Sequence, residues 1–261
     1  MNKKKLTPVS TWHYIRLVCR SVLFITVLVT YIISRMNGGS TILDIIETAP
    51  VLLIIVWSIF MIEMIFRFFP SKLESPGCQK QFRCNYVPTG NTNPVVHDNN
   101  ATVLVAIVWI LLNGAIGWLF MLNVIDEGIL LLVSLAYSVC DMICILFFCP
   151  FQTWFLKNKC CVSCRIYNWD YAMMFTPLFF VRKIYTWSLL VAAVALMIRW
   201  EVTVYRFPER FSENTNAYLN CNNCTEKLCS HKKQLKSLWK QIVKEEKLRE
   251  NRLIQAFEKK R

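Results

Sequence analysis

The chain has only three histidines, His13, His97 and His231, among its 261 residues, so chemistry that relies on imidazole has few places to sit. It also lacks a phosphate-cradling glycine loop, an HExxH helix, a GxSxG elbow and a recognisable frame of paired catalytic carboxylates. Those absences exclude the usual signatures of nucleotide-binding enzymes, zinc proteases and serine hydrolases, and the chain reads as a binding or transport protein rather than an enzyme. Acidic residues are scarce as well: 17 Asp and Glu stand against 30 Lys and Arg, a net charge of +13. Such an excess would suit nucleic acid, but membrane proteins carry positive charge to fix their orientation, and nucleic acid is set aside as a partner.

What the chain has in quantity is apolar sequence. Hydrophobic residues make up 55% of it and the mean hydropathy is +0.37, while charge is crowded into the N-terminus, the connecting segments and the C-terminal tail. That block pattern belongs to a chain with lipid as one of its solvents. Five runs approach the roughly 20 residues needed to cross a hydrocarbon layer about 30 Å thick. They cover residues 17–34, 49–66, 101–122, 128–148 and 185–200. The expected fold is therefore all-α: a polytopic integral membrane helical bundle of about five spans, with a basic N-terminus over 1–16 and a basic tail over 201–261. The first apolar run follows MNKKK but is long and has no small-residue cleavage site after it, so it reads as a retained anchor and not a secretory signal. Trp12, Tyr14, Tyr31, Trp118, Trp187 and Trp200 fall near the run ends, where an amphipathic ring sits at headgroup depth.

Orientation follows from Lys and Arg. With five spans, the N-terminus, second loop and fourth loop share a side and, counting Arg16 and Arg20 around the start of the first run, hold fourteen basic residues, whereas the opposite short loops hold only Arg35. This bias predicts a cytoplasmic N-terminus in the cell membrane. An odd span count then puts the tail outside, against the testimony of Arg199, Arg206 and Arg210 beside the last run. The aromatic stretch 171–181, broken by Pro177, is a candidate re-entrant segment; a full sixth span is disfavoured because only Arg182 and Lys183 remain for the turn.

Ionisable residues inside spans cost roughly 2.5–3.5 kcal/mol on insertion scales and are the natural functional candidates. Asp141 lies well inside the fourth run, and helical spacing puts Tyr137, Asp141 and Cys144 on one face, a set able to hold a cation or relay a proton. The plainer reading has Asp141 protonated, or bonded to Asn113 or a hydroxyl on a neighbouring helix. Glu63 is expected to pair with Arg67 one turn on. Asn113, Gly114 and Gly117 form a small patch that admits a close neighbour.

Twelve cysteines complete the inventory. Cys221, Cys224, Cys229 and His231 form a Cys-x2-Cys-x4-Cys-x-His run whose soft ligands suit structural zinc. Cys160, Cys161 and Cys164 in the fourth loop, with Cys78 and Cys84 in the second, are further candidate ligands. An iron–sulfur cluster fits less well, because the spacing follows neither common ferredoxin run; a dithiol role for Cys161 and Cys164 is a further alternative. Asn223-Cys224-Thr225 is a glycosylation sequon usable only in a secretory lumen. Beyond the cluster, Leu235, Trp239, Ile242, Leu253 and Phe257 recur at helical spacing among Lys and Glu, a basic amphipathic helix suited to a protein partner or an anionic bilayer. Three function classes follow: a zinc-stabilised membrane protein whose tail contacts a partner or the bilayer, a small transporter or ion conductor using Asp141, and a membrane oxidoreductase using its thiols.

Overall fold

The computed structural model describes residues 7–37, 48, 50–95, 99–156 and 159–221. The expected apolar runs all form helices: α1 Pro8–Met36, α2 Pro50–Phe66, α4 Asn99–Met121, α5 Glu127–Leu146 and α8 Ile184–Arg206. Four of them are long and apolar enough to cross a membrane, and α2, at 17 residues, is a shorter apolar helix. Three short helices, α3 Pro76–Gln79, α6 Cys160–Ser163 and α7 Asp170–Phe175, lie in or after the loops. Among the described residues there is no strand, only one isolated bridge between Pro88 and Asn216.

Local chemistry sets the boundaries. Thr7 caps α1, its hydroxyl accepting from the Ser10 amide at 3.3 Å, and Pro8 in the first turn has no amide to leave unpaired. Helix α1 starts well before its apolar run because His13, Arg16 and Arg20, at spacings of three and four residues, line a single buried face with Val9 and Ser10. Between α4 and α5, Asn123 takes a left-handed conformation (φ 56°), and Asp126 then caps α5 by accepting from the Ile129 amide at 2.9 Å.

The bundle has an inside of its own and an apolar outside. Phe60, Met64, Leu130, Tyr171, Met174, Phe175, Leu178, Leu189, Ala193 and Leu196 form the central cluster. Facing outward, Ile54, Leu111, Trp118 and Val191 are each more than half exposed, as expected where lipid replaces water.

The chain crosses the bundle interior in an unexpected place. Helix α7 continues into a 3-10 turn at Thr176–Phe180, where Pro177 ends the α-helical pattern. Asp170, at its start, pairs with Arg67 just beyond the end of α2, while Phe180 packs on Phe120 near the opposite end of α4. Six α-helical and five 3-10 residues supply roughly 19 Å of rise between the two. Non-helical backbone at such depth survives only when enclosed; here the Ser134 hydroxyl donates to the Met174 carbonyl at 2.9 Å, and the Thr176 hydroxyl donates to Ala172 at 2.7 Å. The stretch 171–181 is thus an interior traverse, which the shortness of the Arg182–Lys183 turn had argued against.

This traverse decides where the tail begins. Helix α8 starts at the far end and returns, so that Arg199 donates to the Phe68 carbonyl at 2.6 Å and Trp200 to the Arg165 carbonyl at 2.5 Å. Residues 207–221 then fold over the second loop: Ala217 N–H bonds the Val87 carbonyl at 2.7 Å, Thr89 N–H the Thr215 carbonyl at 3.3 Å, and Arg210 the Gln81 carbonyl at 3.0 Å. The start of the tail, the second loop and the fourth loop therefore occupy one end of the bundle, and Arg182 and Lys183 lie towards the other. Arg16, near the start of α1, contacts Glu74 of the second loop, so the tail begins at the same end of the bundle as α1.

Candidate functional site

At the loop end, the N-terminal half of α1, the last turn of α2, the second loop, α5 and α7 converge on a buried set of charges. Arg20 is its centre. Its guanidinium contacts Glu63 at 2.8 Å, Asp141 at 3.2 Å, the Ser138 carbonyl at 3.2 Å and the Tyr171 hydroxyl at 3.4 Å. Glu63 also accepts from the Tyr171 hydroxyl at 2.7 Å, and its other oxygen lies 3.0 Å from Arg16 Nε. Arg16 reaches outward to Glu74 at 2.7 Å. Arg67, only 1% exposed, donates to Asp170 at 2.5 Å and Asn168 at 2.9 Å, and stacks over the Tyr171 ring with its carbon 4.6 Å from the centroid. Three arginines thus meet four carboxylates, an arrangement that lets charges remain buried because each has opposite charge within reach.

Not every polar atom in this layer is satisfied. Among the described residues, Arg16 Nε and Nη1, Arg67 Nε, Asn168 Nδ2 and Asp170 Oδ1 are buried without a hydrogen-bond partner, the Arg16 Nε contact with Glu63 being close but poorly aligned. Outside the helices, burial opposes ionisation of Glu74, yet Arg67 and Arg16 hold its carboxyl below the usual carboxylate range.

The expected partners of these residues change accordingly. Glu63 and Arg67 do not pair with each other one turn apart: Glu63 turns to Arg16 and Arg20, Arg67 to Asp170 and Glu74, because α1 and α7 supply closer opposite charges. Asp141 is bonded to Arg20 and not to Asn113, whose amide donates to Trp109 within its own helix. Tyr137 packs on Trp109 with ring centroids 4.6 Å apart, and the Cys144 thiol bonds Cys149, so the face expected to unite Tyr137, Asp141 and Cys144 divides among three neighbours. Arg16 and Arg20 were read only as orientation charges; the three- and four-residue spacing from His13 was the signal that they belong to one buried face.

This chain matches no family model, curated protein or solved structure.

Cys78 of the second loop and Cys161 and Cys164 of the fourth do come together, since α3 lies against α6 and Gly77 leaves room for the Tyr167 ring and the Cys161 backbone. Their surroundings suit packing more than ligation. Cys78 is fully buried, Cys164 nearly so, and both join Val105, Ile166 and Trp200 in one apolar cluster. Burial pushes the Cys78 thiol up to about 12. Lys80 anchors the same region: its amine donates to the Val162 and Cys164 carbonyls at 2.8 and 3.2 Å and sits over the Trp200 and Phe211 rings. Among the described residues no group of three or more His, Cys, Asp or Glu side chains is arranged to hold a metal. Of the tail cluster only Cys221, which is exposed, lies within the described residues; Cys224, Cys229, His231 and the expected amphipathic helix lie outside them, as does the side chain of Cys160.

Proposed function

We propose that the chain is a small membrane transport protein in which Asp141, Arg20, Glu63 and Tyr171 form a charge gate for a proton or small cation. The observation that carries this reading is the sharing of Arg20 between two largely buried carboxylates, Glu63 and Asp141, the three residues standing on three different helices of the bundle. A cation arriving at Asp141 competes directly with Arg20, and Glu63 is placed to retain the arginine when Asp141 releases it. The buried polar atoms lacking partners beside Arg67 and Arg16 support a polar species entering the layer, where a fully satisfied staple would leave nothing to bind. The basic loop end is assigned to the cytoplasm of the cell membrane by its charge excess. In proteoliposomes carrying a pH-sensitive dye, Asp141→Asn should reduce flux at least tenfold while the protein stays monodisperse; unchanged flux, or wild-type flux no greater than that of empty vesicles, would remove the proposal.

A second reading keeps the tail at the centre: structural zinc held by Cys221, Cys224, Cys229 and His231, with the basic helix beyond them contacting a protein partner or the bilayer. It is favoured by the packing of residues 207–221 on the second loop, which brings Cys221 to the end that bears Cys161 and Cys164. Metal content after anaerobic purification separates the readings, about one zinc per chain that is lost in Cys221→Ser, Cys224→Ser supporting this one.

A further inference from the structure

Cys144 and Cys149 stand five residues apart, a spacing that a continuous helix would hold at about 8.6 Å between Cα atoms, beyond the roughly 7 Å reach of a disulfide. The helix does not continue. Phe147, the cap of α5, leaves helical geometry at φ −120° and ψ −67°, and the Phe147 and Phe148 amides both donate to the Ile143 carbonyl, at 2.8 and 3.1 Å. The chain therefore folds back over the last turn of α5, and the two thiols meet in a hydrogen bond.

This turn is held from its far side as well. Pro150 fixes the backbone directly after Cys149, and the amide and hydroxyl of Thr153 both donate to the Cys149 carbonyl, at 3.1 and 2.9 Å. The Gln152 amide donates to the Cys149 sulfur at 3.5 Å. An amide and a thiol thus face that sulfur, and hydrogen bonds to sulfur favour the thiolate, which is the form that attacks. Both cysteines are half-buried, unlike Cys78 and Cys164, which are enclosed in the apolar cluster at the loop end. Next to Cys149, Phe148 packs edge to face on Trp154 with centroids 6.0 Å apart, and both rings are exposed, so the pair opens onto the apolar surface of the bundle.

We propose that Cys149 and Cys144 form a redox-active dithiol that an apolar hydroperoxide oxidises to a disulfide. The Cys149 thiolate attacks the peroxide: the O–O bond breaks, the sulfur gains a hydroxyl, and the alcohol leaves with the proton that Cys149 gave up. The Cys144 sulfur then displaces that hydroxyl, forming the S–S bond as the S–O bond breaks, and the hydroxyl departs as water with the proton of the Cys144 thiol. Two thiols are oxidised, and one hydroperoxide is reduced to an alcohol and water. The new bond ties the last turn of α5 to the segment beyond it.

The full chain, purified reduced and without oxygen in detergent, is exposed to equimolar cumene hydroperoxide, alkylated and read by peptide mass spectrometry. A Cys144–Cys149 cross-link should appear roughly tenfold or more faster than oxidation of the exposed Cys84 and Cys221, and dithiothreitol should return it to two thiols. In Cys144→Ser, Cys149 should stop at the sulfenic acid and be captured by dimedone, whereas Cys149→Ser should leave Cys144 unoxidised. Absence of the Cys144–Cys149 cross-link, a cross-link from Cys144 to Cys140 in its place, or oxidation no faster than that of Cys84 would overturn the proposal. Wild-type protein alone gives those three results, so the decision does not depend on how the serine variants fold.

Discussion

Replacing Arg20 by methionine is the most informative perturbation of the buried charges. Methionine keeps much of the volume of the side chain, so the cost falls on electrostatics and not on a cavity. Glu63 still has Arg16 within 3.0 Å and the Tyr171 hydroxyl at 2.7 Å, but Asp141 loses the one ion pair found for it among the described residues. A buried charge deprived of its partner costs about 3–5 kcal/mol. Asp141→Asn is milder, because Arg20 keeps Glu63 and the asparagine carbonyl still accepts from it; a lost charge-assisted bond is worth about 1.5–3 kcal/mol. In the double variant Arg20→Met, Asp141→Asn there is no stranded carboxylate, so it should be more stable than Arg20→Met alone, with a coupling of about 1–3 kcal/mol. Reversible unfolding in mixed micelles at increasing SDS fraction gives all three numbers. Simple additivity, or a loss below about 1 kcal/mol for Arg20→Met, would refute the view that Arg20 neutralises Asp141.

Three further outcomes can be checked in the same preparations. A Cβ on Gly117 would lie 2.1 Å from the Phe180 ring whereas one on Gly114 would meet nothing, so Gly117→Ala should cost about 1–3 kcal/mol and Gly114→Ala almost nothing, as measured by thermal stability in detergent. Exposed Cys84 and Cys221 should react with maleimide at neutral pH while Cys78, buried and with its thiol pushed up to about 12, stays unlabelled until the protein unfolds; mass spectrometry of labelled peptides shows which. Glu74 has a lowered folded-state value, so its contribution is complete above the ordinary 4.5 and is lost as pH falls through the folded value; unfolding from pH 6 to 3 should show that loss reduced in Glu74→Gln.

The helices were legible because lipid imposes long uninterrupted apolar runs, and 49–66, 101–122 and 128–148 came within a few residues of α2, α4 and α5. Helix α1 was underestimated at its start and α8 at its end, since His13, Arg16, Glu201 and Arg206 looked like flanking polar residues when judged by hydropathy alone. Asp141 was legible as an intramembrane acid, but its partner was not, because Arg20 is 121 residues away and only the contact of α1 with α5 brings them together. The interior traverse was hidden for another reason: Tyr171–Phe180 is short, contains Pro177 and owes its backbone satisfaction to Ser134 and Thr176, long-range and local partners that periodicity does not report.

That enclosed stretch also constrains the order in which the molecule is made. Roughly 19 Å of part-helical chain is too short to partition into lipid as an independent unit, and it finds an enclosed environment only once α4, α5 and α8 surround it. The ribosome delivers it before α8 exists, so its enclosure is completed only when α8 follows. A chain truncated before residue 184 should therefore leave this segment without the packing that Leu189, Ala193 and Leu196 supply.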